Sequence, residues 1–209
     1  NTYWIPEVIY TEAGVRVGPH AFRSFPLPGK SQDGRFALFA FPWDVPAETV
    51  PHVFARNPAG AKARAHFWHK VFPKRYRVRE LELSDAFLEL VVNQIDPTGA
   101  GDLLARFLKI NGEMRRANSQ ALADLRLKTE ERVLWSGPFL QLGDSKVEAQ
   151  FADTRTYLYK GKAVDRQTHL GFDLAVTQHV AVAAANHGKV VIGGELGIYG
   201  NCVVVDHGY

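Results

Sequence analysis

The stretch His169-Leu170-Gly171-Phe172-Asp173 places a histidine and an aspartate four positions apart, with glycine and two bulky apolar residues between them. In an extended backbone, residues at even separation lie on the same face. The spacing therefore predicts that His169, Gly171 and Asp173 share one face, while Leu170 and Phe172 point into the core. An imidazole and a carboxylate that converge from one strand would supply two of the three protein ligands of a catalytic zinc ion, whose fourth position is left for water.

An isolated HxxxD spacing carries little information, because a surface histidine and a surface aspartate on a strand explain it equally well. The surrounding sequence adds three further segments. Phe151-Ala152-Asp153-Thr154-Arg155 precedes the stretch. Val182-Ala183-Ala184-Ala185-Asn186-His187-Gly188-Lys189-Val190 and Tyr199-Gly200-Asn201-Cys202-Val203-Val204-Val205-Asp206-His207-Gly208 follow it. The order and spacing of these four blocks make the combination far more specific than the HxxxD spacing alone.

Residues 139–209 resemble the lysostaphin-like (LytM-type) zinc endopeptidases, which cut peptide bonds in bacterial peptidoglycan. The segment 151–155 is similar to the FGxR-type entry strand of that family, with Ala152 where the family usually has glycine. The segment 169–175 is similar to its HxGxD-A motif. The segments 182–190 and 199–208 are similar to its V-A-A-x-x-G-x-V strand pair and its YGN-xVxIDHG hairpin.

The resemblance implies that His169 and Asp173 are zinc ligands and that metal-activated water attacks a peptide carbonyl. It places the third ligand and the catalytic histidines in Y-x-H-L and H-x-H segments, which we expect beyond Tyr209. Arg155 and Tyr159 are candidates for substrate binding in the groove, although a structural salt bridge and a core tyrosine explain them as well. A turn role is expected for His207, because the matching family position is not a ligand.

Composition restricts the classes of protein to be considered. The chain has 209 residues, a net charge of +3, 46% hydrophobic and 22% charged residues, which is typical of a globular protein with one large or two small domains. The charge is too small to indicate nucleic-acid binding. Cys202 is the only cysteine, and its apolar neighbours favour a buried structural role. No apolar run reaches the 18 residues of a transmembrane helix. The resemblance implies an extracytoplasmic location, in the periplasm or cell envelope, with any membrane contact made through a leader or anchor removed before Asn1.

The chain is predicted to be mainly β with a helical middle. Residues 1–83 contain short alternating runs separated by Pro and Gly turns, one of them at 35–41, which predicts a β-sandwich-like domain. The basic residues at 70, 74, 75, 77 and 79 are expected to form a solvated strand face or to attract anionic wall polymer. Residues 84–131 are predicted to be a helical arm that starts at Ser84 and is open to interruption at Gly112. Residues 132–209 are predicted to be an antiparallel β-sheet domain of the peptidase type, with strands at 146–151, 155–159, 171–175, 178–184, 188–193 and 201–206.

The leading hypothesis is a zinc endopeptidase whose partner is peptidoglycan. One alternative is a non-catalytic protein of the same fold that binds the cell wall or regulates other hydrolases. Another is a binding module whose activity lies in the N-terminal domain. A further possibility for the helical segment is that one helix covers the groove.

Overall fold

The computed structural model describes residues 2–4, 12–27 and 34–209, so the turns expected at 28–33 lie outside the described part of the chain. The chain divides into two compact units, residues 1–75 together with Tyr209, and residues 76–208. Among the described residues, no helix is both long enough and apolar enough to cross a membrane.

The first unit consists of two small antiparallel sheets, as its alternating sequence predicts. One has the strand order β3-β2-β6-β7 and the other β1-β5-β4. Val15 and Val17 on β2 are buried and form a core with Ala37. The strand predicted to continue to Phe41 is shorter, because the sheet pairing of β5 ends at Phe36. The strands are β1 (Thr2–Trp4), β2 (Glu12–Val17), β3 (His20–Arg23), β4 (Phe25–Pro26), β5 (Gly34–Phe36), β6 (His52–Arg56) and β7 (Lys62–His66).

Three helices follow in the second unit: α1 (Asp85–Ile95), α2 (Leu103–Lys109) and α3 (Arg115–Leu125). Ser84 caps α1 by accepting a hydrogen bond from the Phe87 N–H, and Asp102 caps α2 by accepting one from the Ala105 N–H. The helix is interrupted around Gly112, where residues 110–114 form a π-helical turn between α2 and α3. The expected helix start and the expected irregularity are therefore both present.

The strands of the second unit form three small sheets with the orders β11-β10-β8, β12-β9 and β13-β14. Two features differ from the predicted antiparallel domain. β8 pairs with β10 in parallel, and the segment 178–184 is not a strand. The strands are β8 (Val78–Glu82), β9 (Lys146–Ala149), β10 (Thr154–Tyr159), β11 (Lys162–Thr168), β12 (Asp173–Ala175), β13 (Lys189–Glu195) and β14 (Asn201–Asp206), and Gly197–Tyr199 forms a 3₁₀ turn.

Helices α1 and α2 and the β11-β10-β8 sheet share one hydrophobic core. Leu88 and Val92 of α1 and Phe107 of α2 are buried in one cluster with Tyr157 of β10. These two helices therefore pack within the second unit. The observed division falls after Arg75, because every residue of β8 is paired with β10.

Candidate metal centre

His169 and Asp173 flank the short connection between two strands. β11 ends at Thr168, directly before His169, and Asp173 is the first residue of β12, where it pairs with Ala149 of β9. The two residues were expected on one continuous strand. They come instead from the end of one strand and the start of the next, which belong to different sheets.

The apolar side chains of residues 169–173 do not point into the core, although the sequence predicted that they would. Leu170 and Phe172 are exposed rather than buried, because residues 169–172 leave the sheet and do not continue its alternating pattern. Gly171 nevertheless faces the histidine, since a Cβ placed on Gly171 would lie 4.0 Å from His169 Nε2. The predicted convergence of His169 and Asp173 is present, although the regular strand proposed to cause it is not.

The imidazole and carboxylate of the pair approach each other closely without being hydrogen-bonded. His169 Nε2 lies 3.3 Å from Asp173 Oδ1. The nitrogen is buried, and it has no hydrogen-bond partner within the described chain. Two ligands bound at about 2.0–2.1 Å from one tetrahedral ion are themselves about 3.3 Å apart. The 3.3 Å separation and the absence of a hydrogen bond at Nε2 are therefore compatible with both atoms binding one ion between them.

The other oxygen of Asp173 faces Arg155. Arg155 Nη2 donates a hydrogen bond to Asp173 Oδ2 at 3.3 Å. Arg155 lies on β10, the central strand of its sheet, and its side chain is only 22% exposed. The two carboxylate oxygens of Asp173 therefore have separate neighbours, an imidazole at Oδ1 and a guanidinium at Oδ2.

The environment of His169 favours its neutral form. Burial lowers the pKa of the imidazole below 6.5, and repulsion from the guanidinium groups of Arg155 and Arg115 lowers it further, against the opposing attraction of Asp173 and Asp153. A neutral imidazole has the free lone pair that a metal ligand requires. The protonation state and the geometry at Nε2 are therefore suited to the same role.

The backbone of His169 is held on both sides by the segment that precedes β10. The His169 N–H donates to the carbonyl of Asp153 at 2.8 Å, and the Ala152 N–H donates to the carbonyl of His169 at 2.7 Å. The Ala152 backbone has φ = 63°, a left-handed conformation that glycine adopts most readily. A glycine at this position would adopt the same backbone conformation with less strain.

A buried carboxylate anchors the same segment. Asp153 is 1% exposed and accepts hydrogen bonds from Arg77 Nη2 at 2.6 Å and from Arg79 Nη2 at 3.4 Å. Hydrogen bonding from Arg77 lowers the Asp153 pKa, against the opposing effect of burial. Sequence reasoning gave this cluster no role. Its signal was the alternation of basic residues at 75, 77 and 79, which was interpreted as a solvated strand face.

Tyr159, the second candidate for substrate binding, contacts a helix rather than the pair. Its hydroxyl donates to Asp85 Oδ1 at 2.7 Å, at the first turn of α1. It lies four residues along β10 from Arg155, which corresponds to about 13 Å of strand. The structure therefore brings Arg155 to His169 and Asp173, while Tyr159 bridges β10 and α1.

Two further histidines, His187 and His207, make loop contacts. His207 Nδ1 lies 2.7 Å from the carbonyl oxygen of His187, and its ring packs against Phe139. Asp206 accepts hydrogen bonds from the Thr129 hydroxyl and the Glu130 N–H. These contacts tie the segment 129–134 to β14. His207 lies directly after the end of β14, outside any regular element.

Within residues 2–4, 12–27 and 34–209, no three side chains of His, Cys, Asp or Glu are grouped closely enough to hold a metal ion together. The donor types of His169 Nε2 and Asp173 Oδ1 and their 3.3 Å separation are compatible with one shared zinc ion, and the same distance is that of an ordinary histidine–aspartate contact. Comparison with models of protein families found no match for the sequence. A search of curated proteins likewise found none.

Proposed function

We propose that this protein is a zinc-dependent endopeptidase that hydrolyses peptide bonds in peptidoglycan, outside the cytoplasm. The observation that carries the proposal is the 3.3 Å separation of His169 Nε2 from Asp173 Oδ1, with Nε2 buried and not hydrogen-bonded. A buried polar atom without a partner is costly, and such atoms are found where a ligand or ion completes the site. The resemblance of residues 139–209 to lysostaphin-like peptidases supports zinc as that ion and peptidoglycan as the substrate.

The residues of the pair would each have a defined task. His169 would bind through Nε2 in its neutral form, and its backbone hydrogen bonds to residues 152 and 153 would hold the ring's attachment point in place. Asp173 would bind through Oδ1, because Oδ2 is engaged by Arg155. The chemistry that zinc supplies when bound is Lewis acidity, which polarises a carbonyl and lowers the pKa of water.

The test is a measurement of zinc stoichiometry and of the release of peptides from purified peptidoglycan, made on the natural protein. We expect about one zinc ion per chain and solubilisation of the polymer. His169→Ala and Asp173→Ala should each abolish both. Lys146→Ala is a suitable control, because Lys146 lies on the neighbouring strand β9 and pairs on the surface with Glu148.

The outcomes separate the leading proposal from the alternative. Absence of saturable zinc binding in the natural protein would overturn the proposal. Saturable binding of peptidoglycan that persists in both variants, without any release of peptides, would favour a non-catalytic protein that binds the cell wall.

A further inference from the structure

We propose that Arg155 is a positioning residue for the metal ligand Asp173, and that it makes this carboxylate bind through a single oxygen. The inference rests on the proposed zinc site and adds a residue role to it. Arg155 Nη2 donates to Oδ2 at 3.3 Å, on the side of the carboxylate away from the His169 imidazole. Sequence reasoning placed Arg155 among the substrate-binding residues, so the two roles predict different behaviour.

The position of Arg155 on β10 suits a residue that holds the Asp173 carboxylate in one orientation. β10 is hydrogen-bonded on both sides, and Arg155 pairs with Gln167 of β11 and with Arg79 of β8. The backbone at this point is therefore held by two neighbouring strands. Asp173, in contrast, begins a three-residue strand, and its side chain is 54% exposed. The more exposed carboxylate is thus contacted by a guanidinium from a strand that is paired on both sides.

The consequence for the carboxylate follows from its two oxygens. An aspartate without a partner can turn to offer both oxygens to one ion, whereas a hydrogen bond to Oδ2 keeps that oxygen outside the coordination sphere. Groups that orient metal ligands in this way typically change metal affinity by about 10- to 100-fold when they are replaced. We therefore expect Arg155→Gln to weaken zinc binding by about that factor.

The direction of the change in zinc affinity distinguishes the possible roles of Arg155. If Arg155 acted only through its positive charge, its removal would relieve repulsion of the cation and zinc binding would become tighter. A residue that binds only substrate would raise KM and leave zinc affinity unchanged. A purely structural residue would lower the unfolding temperature with no effect on zinc affinity. Only the positioning role predicts weaker zinc binding in a folded variant.

The experiment compares Arg155→Gln, Arg155→Lys and Arg166→Gln in the natural protein, with zinc affinity measured by competition with a chromophoric chelator. Arg166 is the control because it lies exposed on the adjacent strand β11. We expect Arg155→Lys to recover part of the lost affinity and Arg166→Gln to resemble the wild type. The variants are also loaded with Co²⁺, since its visible absorption weakens when coordination rises from four to five.

Weaker zinc binding in Arg155→Gln, together with weaker Co²⁺ absorption, would support the proposal. Unchanged or tighter zinc binding in that variant would overturn it. The His169→Ala variant separates a failure of this inference from a failure of the proposed function. If His169→Ala abolishes zinc binding while Arg155→Gln does not affect it, the zinc site stands and the role of Arg155 is wrong. If the wild type itself does not bind zinc, the proposed function fails first.

Discussion

The carboxylate of Asp153, 1% exposed, accepts a 2.6 Å hydrogen bond from Nη2 of Arg77, a residue 76 positions earlier in the chain. The Asp153 backbone carbonyl in turn accepts the hydrogen bond from the N–H of His169. The ion pair thus connects the segment entering β8 to the segment entering β10, whose backbone is hydrogen-bonded to His169. Stability and site geometry depend on the same contacts.

Asp153→Asn should lower the free energy of unfolding of the second unit, because it removes the buried carboxylate that accepts charge-assisted hydrogen bonds from Arg77 and Arg79. The measurement is urea unfolding followed by circular dichroism, where the midpoint should fall while the slope stays constant. Glu148→Gln is the matched control. It breaks the equally short pair with Lys146, which is exposed, so only a small change is expected. Equal effects in the two variants would contradict a special role for Asp153.

Lowering the pH should destabilise the protein through protonation of the Asp153 carboxylate. Hydrogen bonding from Arg77, opposed by burial, lowers the pKa of Asp153 in the folded state, below the value of about 3.9 expected when unfolded. The unfolded chain then binds the proton more readily, so this contribution to stability is complete above about pH 4 and is lost as the pH falls through the folded pKa. Thermal unfolding between pH 2 and pH 6 should show a shallower acid dependence in Asp153→Asn. An identical pH profile in the variant would rule out Asp153 as a source of the dependence.

Ala152→Gly should be close to neutral in stability, whereas Ala149→Gly should cost about 1–2 kcal/mol through the loss of a buried methyl group and added chain entropy. Both alanines are buried, but only Ala152 has a positive φ, of 63°. Relief of the left-handed strain, about 1–2 kcal/mol, offsets the other losses at Ala152. The difference between the two unfolding free energies measures that strain. If both variants lose the same amount, the strain at Ala152 is absent.

Gly208→Ala should unfold or strongly destabilise the second unit. A Cβ at this position would overlap the backbone carbonyl of Arg132, and the backbone has φ = 86°. Gly101→Ala provides the comparison, because its φ is 112° but a Cβ there would meet open space. The comparison variant should lose only the conformational cost, about 1–2 kcal/mol. A Gly208→Ala protein as stable as the Gly101→Ala protein would argue against close packing of residues 130–134 on the end of β14.

Local sequence signals predicted the elements that depend on neighbouring residues. Ser84 predicted the start of α1, and Gly112 predicted the irregular turn between α2 and α3. The strand at 201–206 was predicted with the bounds it has in the structure. The prediction of a strand at 178–184 was wrong. These alternating apolar residues are not paired with any strand in the described chain, and Val180 and Val182 are exposed.

For the candidate site, the sequence by itself determined only that the Cα atoms of His169 and Asp173 lie within about 14 Å of each other, because four residues of extended backbone span no more than that. It did not determine that the connection leaves the sheet, that Arg155 binds the second carboxylate oxygen, or that Arg77 and Asp153 support the histidine backbone. Those contacts join residues 18 and 76 positions apart. They arise only when β8 pairs with β10 and the first residue of β12 comes close to Arg155, since contacts between distant segments depend on the whole fold rather than on local spacing.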